Sequence, residues 1–149
     1  MNIGIMGIGL MGHAFVERFI ACNAADNNFT ISAYNRSAEK LHDLKDSGID
    51  ISDSAEELID RSQVIILMAS DASAIEALLP LDSVNSGSAG SGSAEFRTTS
   101  LAGKTILQMA TIAPQQSREL SAAVQRCGGR YLEAPVLGSI PEARDGSLI

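Results

Sequence analysis

Three glycines near the amino terminus have the spacing of a phosphate cradle. Gly7-Ile8-Gly9-Leu10-Met11-Gly12 reads G-x-G-x-x-G and stands directly after the short apolar run 2–6. A first glycine permits the tight turn, a second lets backbone approach a pyrophosphate, and a third lets a helix pack close to the strand. The helix that begins there offers unpaired N–H groups and a partial positive charge to the phosphates. A glycine-rich turn without a ligand has the same letters. The preceding strand and the following amphipathic helix are the context that favours the cradle.

A dinucleotide site also needs a reader for the adenine ribose, at the end of the second strand. An acid there accepts from the 2′-hydroxyl of NAD. Here that place reads Tyr34-Asn35-Arg36-Ser37, and no acid lies between Asn28 and Ala38. Arg36 offers a planar fork suited to a 2′-phosphate. Ser37 adds a hydroxyl, and Lys40 falls one helical turn beyond Arg36. Both cations also read as ordinary solvated side chains at a helix start. There they oppose the helix dipole, a conflict that a bound anion relieves. The expectation is NADP(H) in preference to NAD(H).

The elements that hold these residues alternate. Runs 2–6, 29–34, 64–68, 105–109 and 131–133 read as strands. Val64–Met68 is continuous and apolar, the pattern of a strand covered on both faces. Between them, Met11, Phe15 and Phe19 with Val16 and Ile20 mark one face of a helix, and residues 37–47 predict another ending at Gly48. Ser54-Ala-Glu-Glu57 is a capping box. Residues 72–79 read as helical, and Pro114 suits the first position of a helix running to about Cys127. This rhythm predicts one α/β domain over 1–149, with a Rossmann-like, doubly wound, mostly parallel sheet. Residues 85–95 (Asn-Ser-Gly-Ser-Ala-Gly-Ser-Gly-Ser-Ala-Glu) interrupt it as a Gly/Ser-rich insertion, expected to be flexible and assigned no chemistry.

Composition narrows the partners. The chain has 149 residues, 45% apolar, enough to bury a core. Eighteen acidic against eleven basic residues leave a net charge of −7, which opposes a broad hold on nucleic acid or an anionic membrane. Cys22 and Cys127 are isolated, no run approaches a membrane span, and the amino terminus lacks a basic n-region. A cytoplasmic location is expected. There is no Tyr-x-x-x-Lys and no metal-ligand cluster, and His13 and His42 read as surface or packing residues.

Several segments together resemble the β-hydroxyacid dehydrogenases, and within them the cofactor domain of the 6-phosphogluconate dehydrogenase type. They are Ile5–Gly12, Asn35-Arg36-Ser37, Gln108–Pro114, Tyr131–Ser139 and Glu142–Leu148. The resemblance implies that Met68, Ala69 and Ser70 lie along the cofactor and that Thr111 sits near the nicotinamide. It also implies a loop at 136–139 that grips a small carboxylate substrate through the Gly138 N–H and the Ser139 hydroxyl. Two departures stand out. Leu137 replaces the family's serine, and Gln108-Met-Ala-Thr111 replaces Asp-Met-Ser-Thr.

The family's catalytic lysine belongs to a helical second domain, and Lys40, Lys45 and Lys104 do not match its position. No catalytic residue is therefore assigned. Hydride transfer to a carbonyl needs a positioned acid, so this chain is expected to bind cofactor weakly and to catalyse little. Apolar surface left by that domain predicts a homo-oligomer. The alternative is a non-catalytic, NADPH-responsive binding or interaction module.

Overall fold

The apolar runs become neighbours in one sheet. In the computed structural model, which describes residues 1–26, 28–79, 81 and 100–149, six strands form. They are β1 (Asn2–Met6), β2 (Thr30–Tyr34), β3 (Asp50–Ile51), β4 (Val64–Leu67), β5 (Thr105–Gln108) and β6 (Arg130–Glu133). Every pairing is parallel, in the order β3-β2-β1-β4-β5-β6. The expected doubly wound sheet is present. The Gly/Ser-rich stretch 85–95 lies outside the described residues.

Among the described residues there are five α-helices, α1 (Leu10–Asp26), α2 (Ala55–Arg61), α3 (Ala72–Leu78), α4 (Pro114–Arg126) and α5 (Ile140–Asp145); the first four cover the sheet and α5 packs on α1. Alternation along each strand splits the core into two layers. Ile3 and Ile5 of β1, Ile31 and Ala33 of β2 and Ile66 of β4 pack with Val16 of α1. Met6, Ile65, Leu67 and Ile106 face the other way, onto Leu58 and Ile59 of α2, Ile75 of α3 and Val124 of α4. Central strands buried on both sides explain their unbroken apolar runs.

Local chemistry sets several boundaries. The Ser54 hydroxyl accepts from the Glu57 N–H at 3.1 Å, as the capping box predicts. At the other end of α2, Lys104 Nζ donates to the carbonyls of Asp60 (3.1 Å) and Ser62 (3.0 Å), a cation on the orphan carbonyls of a helix end. Pro114 opens α4, and Gly128 follows its end at φ +82°.

Three features differ from expectation. The segment after β2 is a 3-10 helix over Ala38–Leu44, shorter and tighter than the helix read over 37–47. Its two core residues, Leu41 and Leu44, are three apart and each 2% exposed, the repeat on which a 3-10 helix stacks side chains. β3 is two residues long, too short to show a period. Finally, Leu148-Ile149, an apolar pair whose letters suggest the start of a strand, forms none. Ile149 and Leu137 instead exchange backbone hydrogen bonds of 2.7 and 3.1 Å, with α5 between them.

Packing between β1 and α2 is tight enough to test. A Cβ placed on Gly4 meets Leu58 Cδ2 at 2.3 Å and Ser62 Oγ at 2.5 Å, both in a buried layer. Gly4→Ala is expected to destabilise the fold by about 1–3 kcal/mol, the usual cost of overpacking. Urea denaturation measures it, and an unchanged midpoint would contradict this packing.

Candidate functional site

Register gathers the candidate residues. Met6 lies opposite Tyr34 and Leu67, Leu67 opposite Gln108, and Gln108 opposite Glu133. Five strands therefore end at one edge, and the loops 7–12, 35–40, 68–71, 109–113 and 134–139 all leave from it. β1 has β2 on one side and β4 on the other, so the chain reverses its order there and opens the crevice where α/β sheets take ligands.

The three glycines do different things. Gly7 has φ +91°, and a Cβ there would stand 2.2 Å from the Met68 carbonyl oxygen. On Gly12 it would stand 2.3 Å from the Gly7 carbonyl oxygen. These two are required by the protein's own backbone. Gly9 is not: its Cβ would meet nothing within 4 Å. Gly9 precedes α1 with no side chain to cap it, and the first turn of α1 holds no acid. Open space beside uncapped helix donors fits a pyrophosphate. Ile8 is buried, Met11 half-buried, and Leu10 80% exposed at the mouth.

Asn35 ties this loop to the next one. Its Oδ1 accepts from the Ile8 N–H at 2.9 Å and its Nδ2 donates to the Ser37 carbonyl at 3.0 Å, while the Gly7 N–H donates to the Tyr34 carbonyl at 3.2 Å. Arg36, Ser37 and Lys40 are exposed beyond that brace. Among the described residues, neither Arg36 nor Lys40 makes an ion pair.

After β4, the Met68 N–H donates to the Met6 carbonyl at 2.8 Å, holding the half-buried Met68 and Ala69 beside the glycine loop. The exposed Ser70 donates to Asp71 Oδ2 at 2.9 Å. Asp71 caps α3, and bonds from Ser73, the Ala74 N–H and Ser70 hold its carboxyl down to about 2. Thr111 lies across from it, exposed, and with Asp71, Ser73 and Gln116 it lines a cavity of about 500 Å³. A hollow of about 550 Å³ opens at the opposite edge, lined by Met1, Phe29 and Asp50, away from every candidate residue.

The loop after β6 is self-satisfied. The Ser139 N–H donates to Glu142 Oε2 at 2.8 Å, and the Ser139 hydroxyl donates to the same oxygen. These bonds lower the Glu142 carboxyl from its ordinary value. Gly138 has φ +142°, and a Cβ on it would stand 2.5 Å from Leu148 Cδ2. Leu137 is 73% exposed.

Sequence reading missed two polar arrangements here. Gln108, noted only as a departure, is wholly enclosed, and its Nε2 donates to the Ala110 carbonyl at 2.6 Å. A polar residue closing a buried strand was the available signal. Ser117 of α4 donates to Glu133 at 2.6 Å and pairs with the Tyr131 hydroxyl at 2.9 Å. Burial raises the Tyr131 pKa above its ordinary value. As for the other candidates, His13 sits 3.4 Å from Glu17 along α1, and Lys104 is occupied at α2. Among the described residues there is no cluster of metal-ligating side chains, and no helix is long and apolar enough to cross a membrane.

Comparison with known proteins bears on this site. Residues 2–149 match the NAD binding domain of 6-phosphogluconate dehydrogenase. The chain is 30% identical over 149 residues to glyoxylate/succinic semialdehyde reductase 1 of Arabidopsis thaliana, covering 100% of this chain and 46% of that protein. It is 28% identical over 149 residues to the cytokine-like nuclear factor N-PAC of Anopheles gambiae, covering 100% of this chain and 24% of that protein. Among solved structures, a reductive aminase from Aspergillus terreus in complex with NADPH and ethyl levulinate superposes with a TM-score of 0.75 at 27% identity, covering 95% of this chain and 42% of the other. The chain thus spans less than half the length of these relatives.

The different duties of the glycines are separable by mutation. Gly9→Ala should keep stability to within about 1 kcal/mol, the scale of a changed N-cap, yet lose dinucleotide binding, because its methyl enters the open cradle. Gly12→Ala forces a methyl against the Gly7 carbonyl and should lower stability by at least about 2 kcal/mol. Thermal melts with cofactor titration check both. Equal stability losses would contradict the assignment.

Proposed function

The chain belongs to the family of the NAD-binding domain of 6-phosphogluconate dehydrogenase, and from that premise we propose that it prefers NADP(H) to NAD(H). One observation carries the proposal. The loop with the open cradle at Gly9 is tied by Asn35 to the loop that carries Arg36 and Lys40, two exposed cations without ion partners among the described residues. In this reading Gly7–Gly12, with Ile8, Leu10 and Met11, surround the pyrophosphate, and Asn35 holds the ribose turn in place. Arg36, Ser37 and Lys40 take the 2′-phosphate, with the fork of Arg36 as the main contact. Met68, Ala69 and Ser70 line the middle of the cofactor and Thr111 its nicotinamide end. The NADPH in the Aspergillus terreus structure supports this choice.

The reaction we propose for the whole protein is hydride transfer between NADP(H) and a small hydroxy acid or semialdehyde, a reading supported by the Arabidopsis relative's name, a glyoxylate/succinic semialdehyde reductase. The nicotinamide supplies or accepts the hydride at C4 when bound. On the substrate side, Gly138 and Ser139 offer an N–H and a hydroxyl for a carboxylate, and Glu142 must release Ser139 first. A proton donor for the forming alkoxide is not assigned to any residue of this chain. The 149 residues by themselves are accordingly proposed to catalyse little. The cytoplasm is the proposed location, supported by the two free cysteines, Cys22 and Cys127.

A second reading is a non-catalytic, NADPH-responsive module. The similarity that favours it is to N-PAC, named a nuclear factor rather than a reductase, which spans the whole of this chain.

Arg36→Ala is expected to cost NADPH about 1.5–3 kcal/mol of affinity, the range for a hydrogen-bonded charge, and to leave NADH nearly unchanged. Fluorescence titration with both cofactors decides it, and equal losses would refute the 2′-phosphate role. Activity tests the further claim that the isolated chain catalyses little. Incubated with NADPH and glyoxylate or succinic semialdehyde, the purified chain is expected to show cofactor binding without measurable oxidation at 340 nm (the dihydronicotinamide absorbance). Turnover there would overturn the view that the chain catalyses little.

A further inference from the structure

Resting on the dinucleotide reading above, we propose that Gln108 is a positioning residue that sets the nicotinamide end of the site. Gln108 closes β5, with no exposed surface, and its side chain lies on the α4 side of the sheet, the side of Ile106. Its Nε2 donates to the Ala110 carbonyl at 2.6 Å. The main chain around it is pinned twice more: the Met109 N–H donates to the Leu67 carbonyl at 3.1 Å and the Ala134 N–H to the Gln108 carbonyl at 2.8 Å. Three bonds thus fix residues 108–110, and Thr111 emerges directly from them into the crevice, with Asp71 across the cavity.

The other end of the amide makes this choice of residue informative. Gln108 Oε1 is buried without a hydrogen-bond partner among the described residues. Exchanging the amide oxygen and nitrogen would set two acceptors against each other, so the donor must face Ala110. A buried acceptor left unpaired costs stability, whereas leucine or methionine would fill this space with apolar contacts. What glutamine adds is the donor to Ala110. An ionised carboxylate, such as the aspartate that the family resemblance places here, has no proton to give that carbonyl. The direction in which Thr111 leaves the sheet is therefore set in this chain by a neutral amide.

The experiment compares two ligands on the full 149-residue chain by calorimetry: NADPH, and 2′,5′-ADP, which occupies only the adenosine end. Gln108→Leu removes the donor, and NADPH should bind about tenfold more weakly, the scale of one lost hydrogen bond. Binding of 2′,5′-ADP should change less than twofold. Gln108→Glu keeps the shape. At pH 8.5 it should behave like the leucine variant, and at pH 6 its NADPH-to-2′,5′-ADP affinity ratio should return toward wild type, because burial favours the protonated carboxyl, which can donate. A merely structural role would move both ligands together and leave that ratio fixed. Equal losses for both ligands, or no loss of NADPH in either variant, overturn the role of Gln108 while leaving the dinucleotide reading intact. Failure of the wild-type chain to bind NADPH overturns both.

Discussion

Everything at the ligand edge depends on one crowded contact, where the backbones of three segments approach within the space of a methyl group. The Gly7 carbonyl presses on Gly12, and the Met68 carbonyl presses on Gly7. No side chain fits at either place. This closeness brings the start of α1 down over the boundary between β1 and β4. It also leaves the outer side of the same loop open at Gly9, so the space for a ligand and the tightness of the packing are two sides of one turn. Asn35 extends the arrangement sideways, because its amide bonds both the glycine loop and the Ser37 carbonyl. The loop after β2 is thereby fixed to the glycine loop by a side chain rather than by a longer loop.

The fold was legible because its signals are those of burial. Strands covered on both faces must be apolar where they are covered: β4 is apolar throughout, and β1 is apolar or glycine after the half-buried Asn2 that opens it. Helices that cover them need caps, and Ser54 and Pro114 supply recognisable ones. Signals failed where an element was too short or its period unusual. β3 is a pair of residues held only by β2. The 3-10 helix repeats its core leucines every three residues, which also suits an α-helix, so tertiary packing decided between them. α5 was signalled by Ser139 and Glu142, a capping box hidden inside a loop read for substrate. Of the candidate site, the glycine turn was legible from type and spacing. The Gln108 contact was only half legible: a polar residue closing a buried strand signals that it needs a partner, but not that the partner is the carbonyl two residues on.

The two ends of the crevice are built by opposite means. In the loop after β2, Arg36 and Lys40 are exposed cations in a chain whose net charge is −7. Their attraction for an anion is local, screened beyond about 8–10 Å in ordinary salt. Around Thr111, by contrast, the contacts are buried and neutral, such as the bond from the Gln108 amide to the Ala110 carbonyl, which salt does not screen.

The substrate side follows a third logic. Ser139 and Glu142 already form a donor–carboxylate pair, with both Ser139 donors on one Glu142 oxygen. An incoming carboxylate would meet donors in use and a negative charge beside them. For that loop to grip a substrate, Glu142 must turn away or become protonated, and the low pKa conferred by those same bonds opposes protonation at neutral pH. Leu137, with most of its surface exposed, contributes no hydrogen-bond donor from its side chain. The glycine loop is thus open at Gly9, whereas the loop after β6 is closed upon itself by the bonds between Ser139 and Glu142.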